Sequence, residues 1–132
     1  MIKIKVNFDH TWYDHPLTVL GYVDDQQLFF DQSGKTHATE HTIELDDGPH
    51  IFKLKIQDKT NSNVLIENNK TVQDTFITMK SIVVDNIDLG KLMMLNAKFY
   101  PDHEDPKSKV LEKVSELGYN GQYIFEFKTP LY

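Results

Sequence analysis

The sequence predicts an all-β protein, an antiparallel β-sandwich or jelly roll with one short helix near the C-terminus. Three observations carry this reading. Apolar residues recur at every second position through most of the chain. Clusters of Asp, Asn and Gly separate these runs at intervals of about 8 to 12 residues, as in sandwiches. Only one segment has helical spacing. A length of 132 residues fits one domain able to bury a core without staples, so residues 1–132 are expected to form a single β-sandwich domain.

The elements follow in order. Ile2, Ile4, Val6 and Phe8 alternate with Lys3, Lys5 and Asn7, the pattern of a strand with one wet face. Leu17 to Val23, the turn-like Asp24-Asp25-Gln26-Gln27 and Leu28 to Asp31 read as a hairpin. Thr42 to Leu45 and His50 to Ile56 flank Asp46-Asp47-Gly48-Pro49, whose Asp-Gly tolerates positive φ, and predict a second hairpin. From Thr75 to Leu89 the alternation slips near Lys80-Ser81 and near Asp85-Asn86. A slip of one residue would turn the apolar set to the wrong face, so the first point predicts a bulge and the second a tight turn. Between Lys109 and Leu117, Val110, Leu111, Val114 and Leu117 share a helical face, with Gly118 as C-cap. After Asn120-Gly121 the last strand runs from Gln122 to Lys128 and sets Tyr123, Phe125 and Phe127 opposite Ile124, Glu126 and Lys128. Asp58 to Asp74 and Pro101 to Ser108 are polar enough to be long loops, where function tends to sit.

Composition narrows the chemistry. With no Cys there are no disulfides, thiolate metal sites or Cys nucleophiles. All 14 basic residues are Lys, against 20 acidic ones, for a net charge of −6. A phosphate backbone would be repelled, and no Arg is present to fork onto phosphate or guanine, so nucleic acid is not an expected partner. No apolar run approaches the ~20 residues of a membrane span, and the sequence as it stands shows no signal-peptide pattern, so no membrane partner is expected.

No catalytic set is legible. The five serines lack a nucleophile-elbow context, and twenty carboxylates spread along the chain neither support nor refute an acid/base pair. His37 and His41 lie four apart in β-like sequence, about 13 Å apart along a strand, and read as exposed polar residues rather than zinc ligands. Asp102, Glu104 and Asp105 form an oxygen-rich stretch suited to calcium or magnesium, without EF-hand spacing. The loop Asp9-His10-Thr11-Trp12-Tyr13-Asp14-His15-Pro16 joins two strands. Trp12 and Tyr13 are adjacent, so in extended chain one must face outward, and Asp14 supplies an acceptor beside them. Aromatic faces with carboxylate and amide neighbours suit the C–H faces and hydroxyls of sugars. Trp12, Tyr13, Asp14 and Tyr100 are therefore the candidate ligand-binding residues, unless Trp12 plugs the core.

The central segment resembles the calcium-dependent, xylan-binding type of carbohydrate-binding module, over about residues 42 to 89. The matching residues are Leu45, Asp47-Gly48-Pro49-His50, and then Asp74, Ile77, Met79, Ile82, Val84, Asp85 and Ile87. One extra Asp precedes the first group, Asn86 stands where that family has Gly, and residues 58 to 74 lack its Tyr-Gly and second Asp. The resemblance implies a jelly-roll fold, carbohydrate binding without catalysis, and calcium as cofactor, with Asp74 as the one ligand carried over. The ending Gly118-Tyr119-Asn120-Gly121-Gln122-Tyr123-Ile124-Phe125-Glu126-Phe127 is similar to small proteins of tailed bacteriophages. That likeness implies instead a structural or assembly role, with a protein partner or a homo-oligomer and the row Tyr123/Phe125/Phe127 as interface. A metal-dependent hydrolase is the third alternative.

Overall fold

The computed structural model describes residues 2–90, 96–102, 110–112 and 116–129, and shows two antiparallel sheets packed face to face. In the first sheet β1 (Ile2–Thr11) is central, with β4 (His37–Ile43) on one side and β8 (Phe76–Val84) on the other. The short strands β9 (Ile87–Asp88) and β12 (Glu116–Leu117) extend β8. The second sheet has six strands in the order β11 (Leu111–Glu112), β10 (Lys98–Pro101), β13 (Gly121–Thr129), β5 (Gly48–Gln57), β2 (Thr18–Val23) and β3 (Gln26–Asp31).

Alternation in sequence becomes alternation in burial. Along β1, Ile2, Ile4, Val6 and Phe8 are buried while Lys3 and Lys5 are exposed, and β13 buries Tyr123, Phe125 and Phe127. These residues meet Phe52, Leu54 and Ile56 of β5 and Phe99 of β10 in one apolar core. Burying an aromatic of this size is worth enough that truncation to Ala typically costs about 3–5 kcal/mol. The Tyr123/Phe125/Phe127 row is therefore core and not the interface expected of an assembly protein. Burial also pushes the Tyr123 hydroxyl up to about 12.

The bulge falls where the phase slip placed it: Asn7 pairs with Ser81 and Phe8 with Met79, leaving Lys80 as the extra residue. Asp85 and Asn86 both take positive φ, 48° and 68°, in the turn that returns the chain as β9. Both are among the few non-glycine types that adopt this conformation readily.

Three expectations are corrected. The segment from His37 to Gln57 is not a hairpin: β4 pairs with β1, and β5 pairs with β13 and β2 in the opposite sheet. Asp46-Asp47-Gly48, with Gly48 at φ 128°, carries the chain between sheets while Leu45 packs on the core. The short helix near the C-terminus is absent: the described residues of that segment form β11 and β12, with Leu111 paired to Phe99 and Leu117 to Ile77, while Lys109 and residues 113–115 lie outside the described residues. A helix of nine residues has little stability of its own, and two sheet edges offering backbone partners outcompete it. Finally, the stretch Asp58 to Asp74 is not all loop. It holds a 3-10 turn at Asn61–Asn63 and a hairpin of β6 (Leu65–Glu67) and β7 (Lys70–Gln73), turned by Asn68 and Asn69 at φ 53° and 63°.

Candidate functional site

One end of the sandwich is organised around the Lys59 side chain. Its ammonium donates to Asp74 Oδ1 at 2.8 Å, to the Thr75 carbonyl at 2.8 Å and to the Gly118 carbonyl at 2.5 Å. Three N–H donors thus meet three oxygens, the full capacity of a lysine. The backbone of Lys59 is clamped as well: its N–H donates to Asn120 Oδ1 at 2.8 Å, and Asn120 Nδ2 returns a bond to its carbonyl at 3.0 Å. The Asn120 amide thereby replaces one rung of a β-ladder and ties the β5–β6 connection to the turn before β13.

These ties shape a cleft of about 610 Å³, within the range usual for small-ligand sites. Lys59, Asp74, Asp102, Glu116, Tyr119 and Asn120 supply its polar wall, and Phe76 and Val64 its apolar one. Tyr119 is exposed, with the Lys59 ammonium 5.9 Å from its ring centroid, close enough for a cation–π contact that orients the ring.

The loop with the single Trp lies against the same end. Asn63, fully buried, donates from Nδ2 to the carbonyls of Tyr13 (3.0 Å) and His15 (2.8 Å). Thr75, also buried, accepts the Tyr13 N–H at 2.9 Å while its carbonyl holds Lys59. One wall of the cleft and the aromatic loop are therefore parts of one hydrogen-bonded frame. Trp12 faces outward, at 46% exposure, and its Nε1 donates to the Gly34 carbonyl at 3.1 Å. It does not plug the core. Tyr13 is half-buried. Asp14, at φ 73°, is exposed and pairs with His15 Nδ1 at 3.0 Å, while His15 Nε2 meets the Asp58 carbonyl at 2.9 Å. The Asp14 carboxylate and then the Asp58 carbonyl raise the His15 pKa above its ordinary value.

The structure separates the other expected site residues. Tyr100 is exposed on β10 and turns to the outer face of the six-stranded sheet, not into the cleft. Asp102 does line the cleft, but Glu104 and Asp105 lie outside the described residues. Asp74, the carried-over calcium ligand, is instead the ion-pair partner of Lys59 at 2.8 Å. At Asp74 the surroundings suit an ammonium rather than calcium, since Lys59 Nζ already engages Asp74 Oδ1 and the Thr75 and Gly118 carbonyls. Among the described residues no three His, Asp or Glu side chains converge on a point where a metal could sit.

The histidines give a second correction. His37, read as exposed, is buried, stacked on Phe8 with centroids 4.5 Å apart and planes 6° apart. Its Nδ1 donates to the buried Asp31 at 2.8 Å, and its Nε2 meets Thr39 Oγ1 at 2.6 Å, which in turn meets His41 Nε2 at 2.8 Å. Burial opposes the charge on Asp31, yet the Ser33 N–H, the Ser33 hydroxyl and His37 together hold its pKa below the ordinary value.

Sequence reasoning missed Lys59, Glu116, Tyr119 and Asn120 as one group. Their separations, up to 61 residues, carry no local periodicity; the available signal was an aromatic within the turn-forming run Gly118-Tyr119-Asn120-Gly121.

No protein-family model matches this sequence, and no curated protein matches it. Among solved structures the chain is similar to vCBM60 in complex with galactobiose, at 10% identity and a TM-score of 0.63, over 93% of this chain and 96% of that one. The chain therefore shares the two-sheet fold of a carbohydrate-binding module.

Proposed function

We propose that this protein is a non-catalytic carbohydrate-binding module whose cleft at the Lys59 end takes a neutral sugar. The observation that carries the reading is the exposed Tyr119 ring, oriented by Lys59 and flanked by Asp102, Glu116 and Asn120. An aromatic face packs against the C–H face of a pyranose, while the carboxylates and the amide accept and donate to its hydroxyls. Rigid aromatics on a clamped frame do this at small entropic cost. Trp12, with Tyr13 and Asp14 on the adjoining loop, extends the same end as a second platform. The similar fold of a module solved with galactobiose supports the class of ligand.

A glycan array followed by calorimetry tests the assignment. Tyr119→Ala is expected to weaken binding at least tenfold, about 1.4 kcal/mol, and Trp12→Ala to weaken longer oligosaccharides more than disaccharides. Binding that ignores both substitutions, or no binding to any neutral glycan, would refute the site.

A further inference from the structure

The outer face of the six-stranded sheet differs in charge from the rest of the molecule. Directly opposed residues in neighbouring strands share a face, and two rows cross the sheet in register. One runs Phe30, Leu20, Lys55, Gln122, Tyr100 through β3, β2, β5, β13 and β10. The next runs Tyr22, Lys53, Ile124, Lys98. Lys128, opposite Pro49, lies farther along β13. Lys53, Lys55 and Lys128 thus share this face with Lys98, against Glu126 of β13 and Glu112 of β11, which lies opposite Lys98 in register, so the cations of β5 stand clear of both carboxylates along the sheet. The whole chain has the opposite balance, 14 Lys against 20 acidic residues.

Apolar and aromatic groups frame the lysines. Phe30 and Tyr100, 57% and 40% exposed, stand at the two ends of the first row, and the Lys53 ammonium lies 5.7 Å from the Tyr22 ring centroid. With strands ~4.8 Å apart, five strands span about 19 Å, room for an extended oligosaccharide laid across them.

We infer that this sheet face is a second glycan-binding surface, selective for polysaccharides bearing uronic acid carboxylates, with Lys53 and Lys55 as the central cations and Tyr100 and Phe30 as terminal stacking platforms. The reading of the protein as a carbohydrate-binding module supplies the ligand class; the charge complementarity supplies the acidic sugar. A nucleic acid is the poorer occupant, because the net charge of −6 repels an extended polyanion beyond the patch and no Arg is present to fork onto phosphate.

Affinity electrophoresis through gels containing polygalacturonate, neutral galactan or polyglutamate tests this, with duplex DNA titrated separately. The wild type is expected to be retarded by polygalacturonate, less so as salt is raised. The double variant Lys53→Gln/Lys55→Gln should bind polygalacturonate at least tenfold more weakly while keeping its melting temperature, and Lys53→Arg/Lys55→Arg should restore binding. Tyr119→Ala should leave polygalacturonate binding intact. No retardation by polygalacturonate, retardation indifferent to the Gln variant, or loss in Tyr119→Ala instead would overturn the inference. Equal binding of polyglutamate or DNA would overturn it in favour of a general polyanion surface. The two sites fail separately: galactan binding abolished by Tyr119→Ala with no polygalacturonate binding leaves only the cleft, and the reverse leaves only the sheet face.

Discussion

Lys59 Nζ sits 2.8 Å from Asp74 Oδ1, and this pair connects the loop after β5 with the residues leading into β8. The ammonium is largely buried, at 14% exposure, while Asp74 is more open at 40%. Replacing Lys59 by Met takes the ammonium from the Thr75 and Gly118 carbonyls and leaves Asp74 Oδ1 with the Thr75 N–H as its remaining donor. A buried pair broken on one side costs more than a surface pair, though solvent around Asp74 reduces the cost, so roughly 1–3 kcal/mol of destabilisation is expected. Urea denaturation measures it; a change below about 0.5 kcal/mol would show that the ammonium does not hold this end.

The same geometry predicts indifference to calcium. Melting temperatures in excess calcium and in chelator should coincide, since a ligand that binds only the folded state would raise the transition. A calcium-dependent rise would show a cation site despite Lys59.

His10 is the weak point of the core. Its side chain is 1% exposed, its Nε2 lies 3.5 Å from Asp31 Oδ1, beyond hydrogen-bond length, and neither ring nitrogen has a hydrogen-bond partner among the described residues. Burial lowers its pKa, and that of His41, below the ordinary 6.5, although Asp31 pulls the other way on His10. In the unfolded chain these groups take up protons more readily than in the folded one. What these two groups contribute should therefore be fully present above about pH 6.5 and be lost as the pH drops below it. His10→Leu removes the unpaired imidazole and should raise stability by about 1 kcal/mol and flatten this acid limb. A variant less stable at pH 7 and equally acid-sensitive would refute the account.

The alkaline limb has different origins. Burial works against protonated His50, but its bonds to Asp24 and to the Asp46 carbonyl outweigh that and raise its pKa, as Asp14 does for His15. What these two histidines contribute is present below pH 6.5 and is lost as the pH rises through their folded values. Tyr123 acts later: with its pKa at about 12 in the fold against 10.0 unfolded, stability falls again above pH 10. Ultraviolet titration of the six tyrosines should show one that ionises about two pH units late, or only on unfolding. Six equivalent tyrosines would contradict the burial of Tyr123.

Gly34 supports the one Trp. It has φ 71°, and a Cβ there would come 2.6 Å from Trp12 Nε1. Gly34→Ala combines backbone strain with displacement of the indole and should cost about 1–2 kcal/mol. Because the chain has a single Trp, the intrinsic emission spectrum reports this site alone; an unchanged spectrum would mean that Trp12 does not rest on Gly34.

Strands were the legible part of the sequence. In β1, β8 and β13 the period-two alternation, the phase slip at Lys80-Ser81 and the Asp85-Asn86 turn all correspond to burial, bulge and turn in the fold. Each is a local consequence of the pleat. What local pattern left open was pairing. The stretch around Asp46-Asp47-Gly48 looks alike whether its flanking strands join each other or separate sheets, and Leu111 and Leu117 fit a helix face as readily as two sheet edges. The choice rests on which remote backbone donors and acceptors are available.

The alternation by itself therefore determined that this is a two-faced, all-β protein with Trp12 on a loop between strands. Only the tertiary structure decided that Trp12 faces solvent, that His37 enters the core, and that Lys59, Asp74, Tyr119 and Asn120 share one cleft. The physical reason is the same throughout. Side-chain direction along a strand is set by neighbouring residues, whereas a site is set by hydrogen bonds such as Lys59 to Asn120, between residues far apart in the chain.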